Sequence, residues 1–225
     1  MLHMDQERLR AAAVDFVYLM DGGYPRSASL QLVGNRYNLD RLQRHCLQRG
    51  VFARQQAEQR RSRLLMPEQL VNAKLLVDGH NVLITTESIL AGRTLIAAND
   101  GVMRDVAGIS HRYRTSSLTD AAVEHIFGIL RKHPPQETLF YLDAPIRHSG
   151  ELASKLRVAL KSWNLKGDAK ALKVPEECLV GAQGVVASSD SVVLDEVRQG
   201  VDLPAAVVKT LDQQVHVIDF TFLGA

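Results

Sequence analysis

Lys74-Leu75-Leu76-Val77-Asp78-Gly79-His80-Asn81 is the stretch on which the reading of the fold turns. Its apolar run is too short and too apolar for anything but a buried strand. That run delivers a carboxylate, then a glycine, then two polar side chains. Two later stretches share the plan: Thr138–Asp143 reads Thr-Leu-Phe-Tyr-Leu-Asp, and Gly184–Asp190 reads Gly-Val-Val-Ala-Ser-Ser-Asp. Each places an aspartate at or just past the end of a strand-like run.

The segments between them carry helical spacing. Leu118–Lys132 sets Ala122, Val123, Ile126, Phe127 and Leu130 on one face, with Ser117 and Asp120 placed as in a capping box. Gly150–Trp163 aligns Leu152, Leu156, Leu160 and Trp163, with Ser149 as its expected N-cap. Further strands are expected at Thr94–Ala98, Lys170–Val174, Ala206–Lys209 and His216–Phe222, and a helix from Ser191 to Arg198. Val82–Leu90 fits a helix or a second extended segment, and Val102–Tyr113 has no assignable period. Strands alternating with helices imply an α/β domain with a mainly parallel sheet and helices on both faces. Ligands bind such sheets outside the carboxyl ends of the strands.

The front of the chain differs. Gln6–Met20 carries an apolar stripe of Leu9, Ala13, Phe16, Val17 and Met20, and shorter helices are expected over Ser27–Gly34 and Leu39–Arg49. Residues 1–53 therefore read as a small all-α domain, 54–69 as an Arg-rich linker helix or exposed arm, and 70–225 as the α/β domain. Residues 1–64 hold eleven Arg, no Lys and six acids, a net of +5 inside a chain whose net charge is only +2. Such a front suits phosphates, or is simply a solvated helical surface.

Among the 225 residues no run approaches the roughly 18 apolar residues of a membrane span. Met1–Arg10 is too polar for a signal peptide, and Cys46 and Cys178 are isolated. A reducing, cytoplasmic setting without structural zinc is expected. No P-loop or dinucleotide fingerprint is present.

If the three strands are parallel neighbours, Asp78, Asp143 and Asp190 converge on one edge. Three close carboxylates repel one another unless a cation lies between them. Oxygen-only ligation points to Mg²⁺ or Mn²⁺, which would activate water and stabilise a phosphodiester in flight. Each acid also has a plainer reading: a tight turn at Asp78-Gly79, a turn or cap at Asp143, an N-cap at Asp190. Asn81 adds a polar group to orient water or phosphate. Asp100 and Asp105 are candidates for a fourth ligand, and Arg104 and Arg147 for substrate phosphate. The segment Asn99–Asp105 equally reads as a polar hairpin turn. Glu87, Glu151 and Asp195 are outside candidates, and His80 is either a general acid–base or a hydrogen-bonding turn residue.

Val77–Asn81 resembles the opening Asp-Gly-x-Asn motif of PIN-like nucleases, in particular their NYN branch. Phe140–Asp143 is similar to the next strand-end acid of that group, and Val186–Asp190 to its late small-polar-Asp motif. The resemblance covers roughly residues 72–210. It implies a three-layer α/β/α PIN-like fold and RNA hydrolysis with Mg²⁺ or Mn²⁺ held by strand-end acids. Structured RNA such as tRNA would be the partner, held by Arg26, Arg36, Arg60 and Arg61, with no membrane and with homo-oligomerisation left open. One departure is that Cys178–Gly184 shows no evident helix or acid where NYN nucleases usually carry one. The whole chain also resembles an uncharacterised prokaryotic two-part family. Gly23-Tyr24-Pro25-Arg26, Leu32–Tyr37, Asn81–Thr85, Asp143–Ile146 and Ser149–Glu151 match its pattern. The competing reading is a nucleic-acid-binding or regulatory protein whose PIN-like body no longer cleaves.

Overall fold

A computed structural model describes residues 6–106, 113–212 and 214–224. In chain order, helices α1 (Gln6–Asp21), α2 (Arg26–Arg36), α3 (Arg41–Gly50) and α4 (Arg54–Ser62) lead to β1 (Leu64–Leu65), β2 (Lys74–Asp78) and α5 (Gly79–Leu90). Then come β3 (Leu95–Ala97), β4 (Met103–Asp105), α6 (Ser117–Lys132), β5 (Glu137–Asp143) and α7 (Ser149–Ser162). The chain continues through β6 (Gly167–Leu172), α8 (Glu176–Leu179), β7 (Val185–Ala187) and α9 (Ser191–Glu196). It closes with β8 (Gln199–Val201), α10 (Leu203–Val208) and β9 (Val217–Asp219).

These elements form two compact units. One comprises Met1–Ser62, Thr94–Val106 and His216–Ala225; the other comprises Arg63–Arg93 and Ala107–Val215. The first therefore holds more than the expected all-α front. Its helices share a core with a three-stranded sheet in the order β4-β3-β9. Strand β3 pairs antiparallel with β4 and parallel with β9. Leu9, Phe16, Val17, Leu47, Ile96 and Phe220 are all buried in that core. Helix α3 is closed by a capping box, in which the Asp40 carboxylate accepts from the Gln43 N–H and the Gln43 amide oxygen accepts from the Asp40 N–H. Of the linker helix or exposed arm expected at 54–69, Arg54–Ser62 is helix α4, whose Ala57 and Arg60 are buried.

The second unit carries a six-stranded sheet in the order β1-β8-β7-β2-β5-β6. Every pairing in it is parallel. Helices flank it, consistent with a three-layer α/β/α arrangement. Leu75, Val77, Leu83, Phe127, Phe140 and Leu142 are fully or almost fully buried in its core. Each is worth roughly 1.5–3 kcal/mol of burial. Sequence order and sheet order part at β2. From β2 the chain builds outward through β5 to β6, then returns to lay β7 and β8 on the other side. The carboxyl end of β2 is thus a topological switch point, where open α/β sheets bind ligands.

Several expectations are corrected. Ala206–Lys209 belongs mostly to α10, which Asp202 caps through the Ala205 N–H. The strand in this part of the chain is β8 instead, and a short apolar run such as Ala206–Lys209 suits either state. His216–Phe222 contributes β9 to the first unit's sheet, and Thr94–Ala98 contributes β3. Val82–Leu90 is helical. The cap of α6 is Ser116 with Thr119, one residue earlier than expected. A short helix, α8, does precede β7 and carries Glu176 and Glu177. Of Val102–Tyr113, residues 107–112 lie outside the described residues.

Candidate functional site

Strand β2 brings Asp78 to the carboxyl edge and hands over directly to α5. Gly79 makes that corner: a Cβ there would lie 2.5 Å from the Leu142 side chain and 3.0 Å from the Tyr141 carbonyl on β5. Strand β5 pairs with β2 in register, Asp78 opposite Tyr141, and ends at Asp143. Strand β7 pairs with the other side of β2, and its exit carries Ser188, Ser189 and Asp190. The three aspartates expected to converge therefore come from three neighbouring strands at one edge.

Asp78 Oδ2 accepts from the Ser188 hydroxyl at 2.8 Å. Enclosure by protein pushes its carboxyl up to about 7, the Ser188 bond opposes this, and the charges of Asp143 and Asp190 add to the rise. Asn81 is fixed through its amide oxygen, which accepts from both the N–H and the hydroxyl of Ser189 at 2.8 Å. Asp190 caps α9 by accepting from the Val192 N–H at 2.7 Å, and its own N–H donates to Ser188 Oγ at 3.0 Å. Its plainer reading as an N-cap is thus realised.

Asp143 meets His80 twice. The ring nitrogen Nδ1 lies 3.0 Å from Asp143 Oδ2 and 3.0 Å from the Asp143 main-chain N, which donates to it. One nitrogen can accept from the N–H or, in the other tautomer, donate to the carboxylate. His80 is 2% exposed, and its ring meets Tyr113 edge-on at 5.3 Å. Its Nε2 has no hydrogen-bond partner among the described residues. The Tyr113 hydroxyl donates to Glu87 at 2.6 Å, and Thr119 donates to the same carboxylate oxygen at 2.7 Å. Burial, and then the Glu87 bond, hold the Tyr113 hydroxyl well above its ordinary pKa. Glu87 is thus a buried acceptor within α5.

The remaining expected site residues have other partners. Asp100 is fully buried in the first unit, where it forms ion pairs with Arg60 at 3.0 Å and Arg104 at 2.7 Å. Asp105 in the same unit pairs with Arg49 at 2.9 Å. Both acids are therefore partnered by arginines of their own unit. Arg60 and Arg104 are likewise buried in those pairs, and Arg61 donates to the Asn99 carbonyl. Arg36 is exposed and pairs with Asp15. Arg26 lies over the rings of Phe16 and Phe52. Arg147 is exposed in the loop after Asp143. Glu151 accepts from His148, and that bond holds its carboxyl below the usual range. His148 itself takes the N-cap position of α7 in the left-handed region, φ 66°, while the Ser149 hydroxyl donates to the Asp143 and Ile146 carbonyls. Asp195 is exposed on α9.

Two features escape a reading of the sequence. Ser188 and Ser189 are the hydrogen-bonding hands of the site, and a signal for them exists: two hydroxyls directly after a buried strand. The His80–Asp143 link has no signal, since sixty-three residues separate the partners.

In donor chemistry the three carboxylates suit a hard divalent cation. Among the described residues, no group of three or more His, Cys, Asp or Glu side chains is gathered tightly enough to hold one. No described helix is long and apolar enough to cross a membrane.

Residues 67–206 match a domain of unknown function, DUF5616, and residues 8–63 match a protein of unknown function, DUF434. The chain belongs to the DUF5616 family. The DUF5616 match takes in Asp78, Asn81, Asp143 and Asp190, while the DUF434 match takes in Arg26, Arg36, Arg60 and Arg61. This is the two-part architecture that the sequence resemblance implied. An uncharacterized protein of Methanocaldococcus jannaschii is 29% identical over 208 residues, spanning 92% of this chain and 99% of its own. No solved structure matches the chain.

Proposed function

We propose that the chain is a divalent-metal-dependent nuclease that hydrolyses RNA phosphodiester bonds at the carboxyl edge of its parallel sheet. One observation carries this reading: the parallel neighbours β7, β2 and β5 bring Asp190, Asp78 and Asp143 to the same carboxyl edge at the switch point, where burial first, and the other two charges after it, raise the Asp78 carboxyl. A cluster of that kind stores electrostatic repulsion that a cation would relieve. The resemblance of the three aspartate motifs to PIN-like nucleases of the NYN branch supports it further.

Mg²⁺ or Mn²⁺, held by Asp78, Asp143 and Asp190, would supply a water of lowered pKa and charge neutralisation at the phosphate. The chain's own residues then have distinct tasks. Ser188 orients the Asp78 carboxylate, and His80 holds Asp143. Asn81, anchored through its oxygen by Ser189, keeps its amide N–H groups for a phosphate oxygen. Arg147, exposed beside Asp143, is the basic side chain proposed to meet the substrate backbone there. Structured RNA such as tRNA, self-association and a cytoplasmic setting belong to the same proposal. Both cysteines are free.

The test is cleavage of single-stranded and structured RNA in Mg²⁺ or Mn²⁺, beside calorimetric titration of Mn²⁺. Asp78→Asn abolishes cleavage and weakens Mn²⁺ binding without unfolding the chain. Full activity in that variant overturns the proposal. The second reading, a nucleic-acid-binding or regulatory protein that does not cleave, is favoured by the local partners of the three acids. Asp78 is held by Ser188, Asp143 meets His80, and Asp190 caps a helix. If neither ion raises the melting temperature, this second reading stands.

A further inference from the structure

Two motifs of the front segment, Gly23–Arg26 and Leu32–Tyr37, take no part in the carboxylate site. Both lead to one groove between α2 and α3, of about 560 Å³, lined by Arg26, Ser27, Leu30, Gln31, Arg44 and Gln48. We propose that this groove seats the phosphodiester backbone of RNA on the paired guanidinium groups of Arg26 and Arg44.

Both arginines are held in place by their neighbours. Arg26 donates to the Gln48 carbonyl at 2.5 Å and to the Met20 sulfur at 3.2 Å, and lies 4.7 Å from the centre of the Phe52 ring. Arg44 donates to the Leu39 carbonyl at 2.9 Å, to the Asn35 amide oxygen at 3.0 Å and to the Gln31 carbonyl at 3.5 Å. Every one of these acceptors is neutral. They fix the cations without cancelling them. Of the other arginines in this unit, Arg36 pairs with Asp15, Arg49 with Asp105, Arg54 with Asp21, and Arg60 and Arg104 with Asp100, whereas Arg61 donates to the neutral Asn99 carbonyl. Among the described residues neither Arg26 nor Arg44 has a carboxylate partner.

Gly34 leaves room for Arg44. A Cβ at that position would stand 1.9 Å from one terminal nitrogen of the guanidinium and 2.4 Å from its central carbon. The second motif thus supplies both the space, at Gly34, and an acceptor, at Asn35. The first supplies Arg26. Burial, followed by the charges of Arg60 and Arg104, lowers the Arg26 pKa to about 10, with Asp100 only partly offsetting them. Its surroundings are short of negative charge, and an incoming anion provides it. Guanidinium forks held rigid are well matched to phosphate oxygens. Ser27, Gln31 and Gln48 stand at the rim and offer neutral donors and acceptors suited to ribose hydroxyls.

The inference rests on the RNA-directed reading above but needs no metal, which separates their tests. Fluorescence anisotropy of a labelled single-stranded RNA with the full chain, in EDTA at several salt concentrations, reads binding alone. Gln31→Glu and Gln48→Glu each put a carboxylate beside these arginines at surface positions that leave the fold intact. Each is expected to weaken binding about tenfold and to reduce the salt slope by roughly 0.7 for each phosphate no longer neutralised. Arg44→Gln, checked by thermal melting, is expected to do the same. Unchanged affinity in both Glu variants overturns the proposal. Saturable binding of inorganic phosphate with none of RNA also overturns it, in favour of a small phosphate ligand. RNA bound in EDTA but left intact in Mn²⁺ fails the nuclease reading and leaves the groove standing. Normal binding by both Glu variants, with cleavage that Asp78→Asn abolishes, does the reverse.

Discussion

Asp100, fully buried, and Asp78, partly buried, are two acids treated in opposite ways. Burial alone would raise both. At Asp100 the guanidinium groups of Arg104 and Arg60 outweigh burial and hold the carboxyl below its ordinary value. At Asp78 only the Ser188 hydroxyl and the Asn81 main-chain N–H work against burial and two further carboxylates, and the group rises to about 7. The contrast teaches that burial alone does not decide the charge state of an acid. What distinguishes the two is whether the fold brings its own cation.

Removing the partner of two buried cations should be the harshest way to break this comparison. Asp100→Ala leaves Arg60 and Arg104 without their carboxylate and is expected to cost about 3–5 kcal/mol in urea unfolding. The opposite sign is expected at Asp78. Its folded pKa lies above the unfolded one, so the folded state binds the extra proton between about pH 4 and pH 7. The contribution of Asp78 to stability should therefore be highest below pH 4 and fall as pH rises through that window. Asp78→Asn should remove the slope and stabilise the metal-free chain by about 2–4 kcal/mol at pH 8. Denaturant melts from pH 4 to pH 8 check this, and an unchanged slope in the variant would sink it.

Smaller effects sharpen the picture. His80→Phe keeps the ring against Tyr113 but loses Nδ1, whereas His80→Asn places an amide near the lost nitrogen. Mn²⁺ affinity should drop about tenfold in the first and largely recover in the second. Equal losses would make His80 merely a filler. Glu87→Gln keeps an acceptor for Tyr113 and Thr119 and should cost only about 1 kcal/mol by thermal melting. A loss as large as that of Asp100→Ala would mean that hydroxyls balance a buried acid as a cation does.

The parallel sheet is legible in the sequence because each strand near the site is an uninterrupted apolar run ending in a polar break. Leu75–Val77 and Val185–Ala187 need no distant information to read as buried strands. That the strands deliver their aspartates to one edge follows from their parallel pairing. The first unit resists such reading. Strand β3 pairs with β9, with Leu95 opposite Val217, and nothing local announces a partner so far along the chain. The arginines of Asp100 and Asp105 are hidden for the same reason. Arg60 and Arg104, which suit phosphate by charge alone, are drawn inward by an acid that looks like part of a turn. Run length also fails at Ala206–Lys209, where proline and an aspartate cap favour a helix over a strand of equal apolarity.

The division of the chain also decides what can be cut from it. It crosses between the two units four times, after Ser62, Arg93, Val106 and Val215. No single cleavage point yields two intact halves. A fragment beginning near residue 70 would carry Ile96, Ala98 and Phe220 as sticky orphans stripped of the helices that share their core. A front segment ending near residue 63 would lack its sheet. The two parts are woven rather than strung, so grafting the first onto another protein means moving three separate pieces of sequence together.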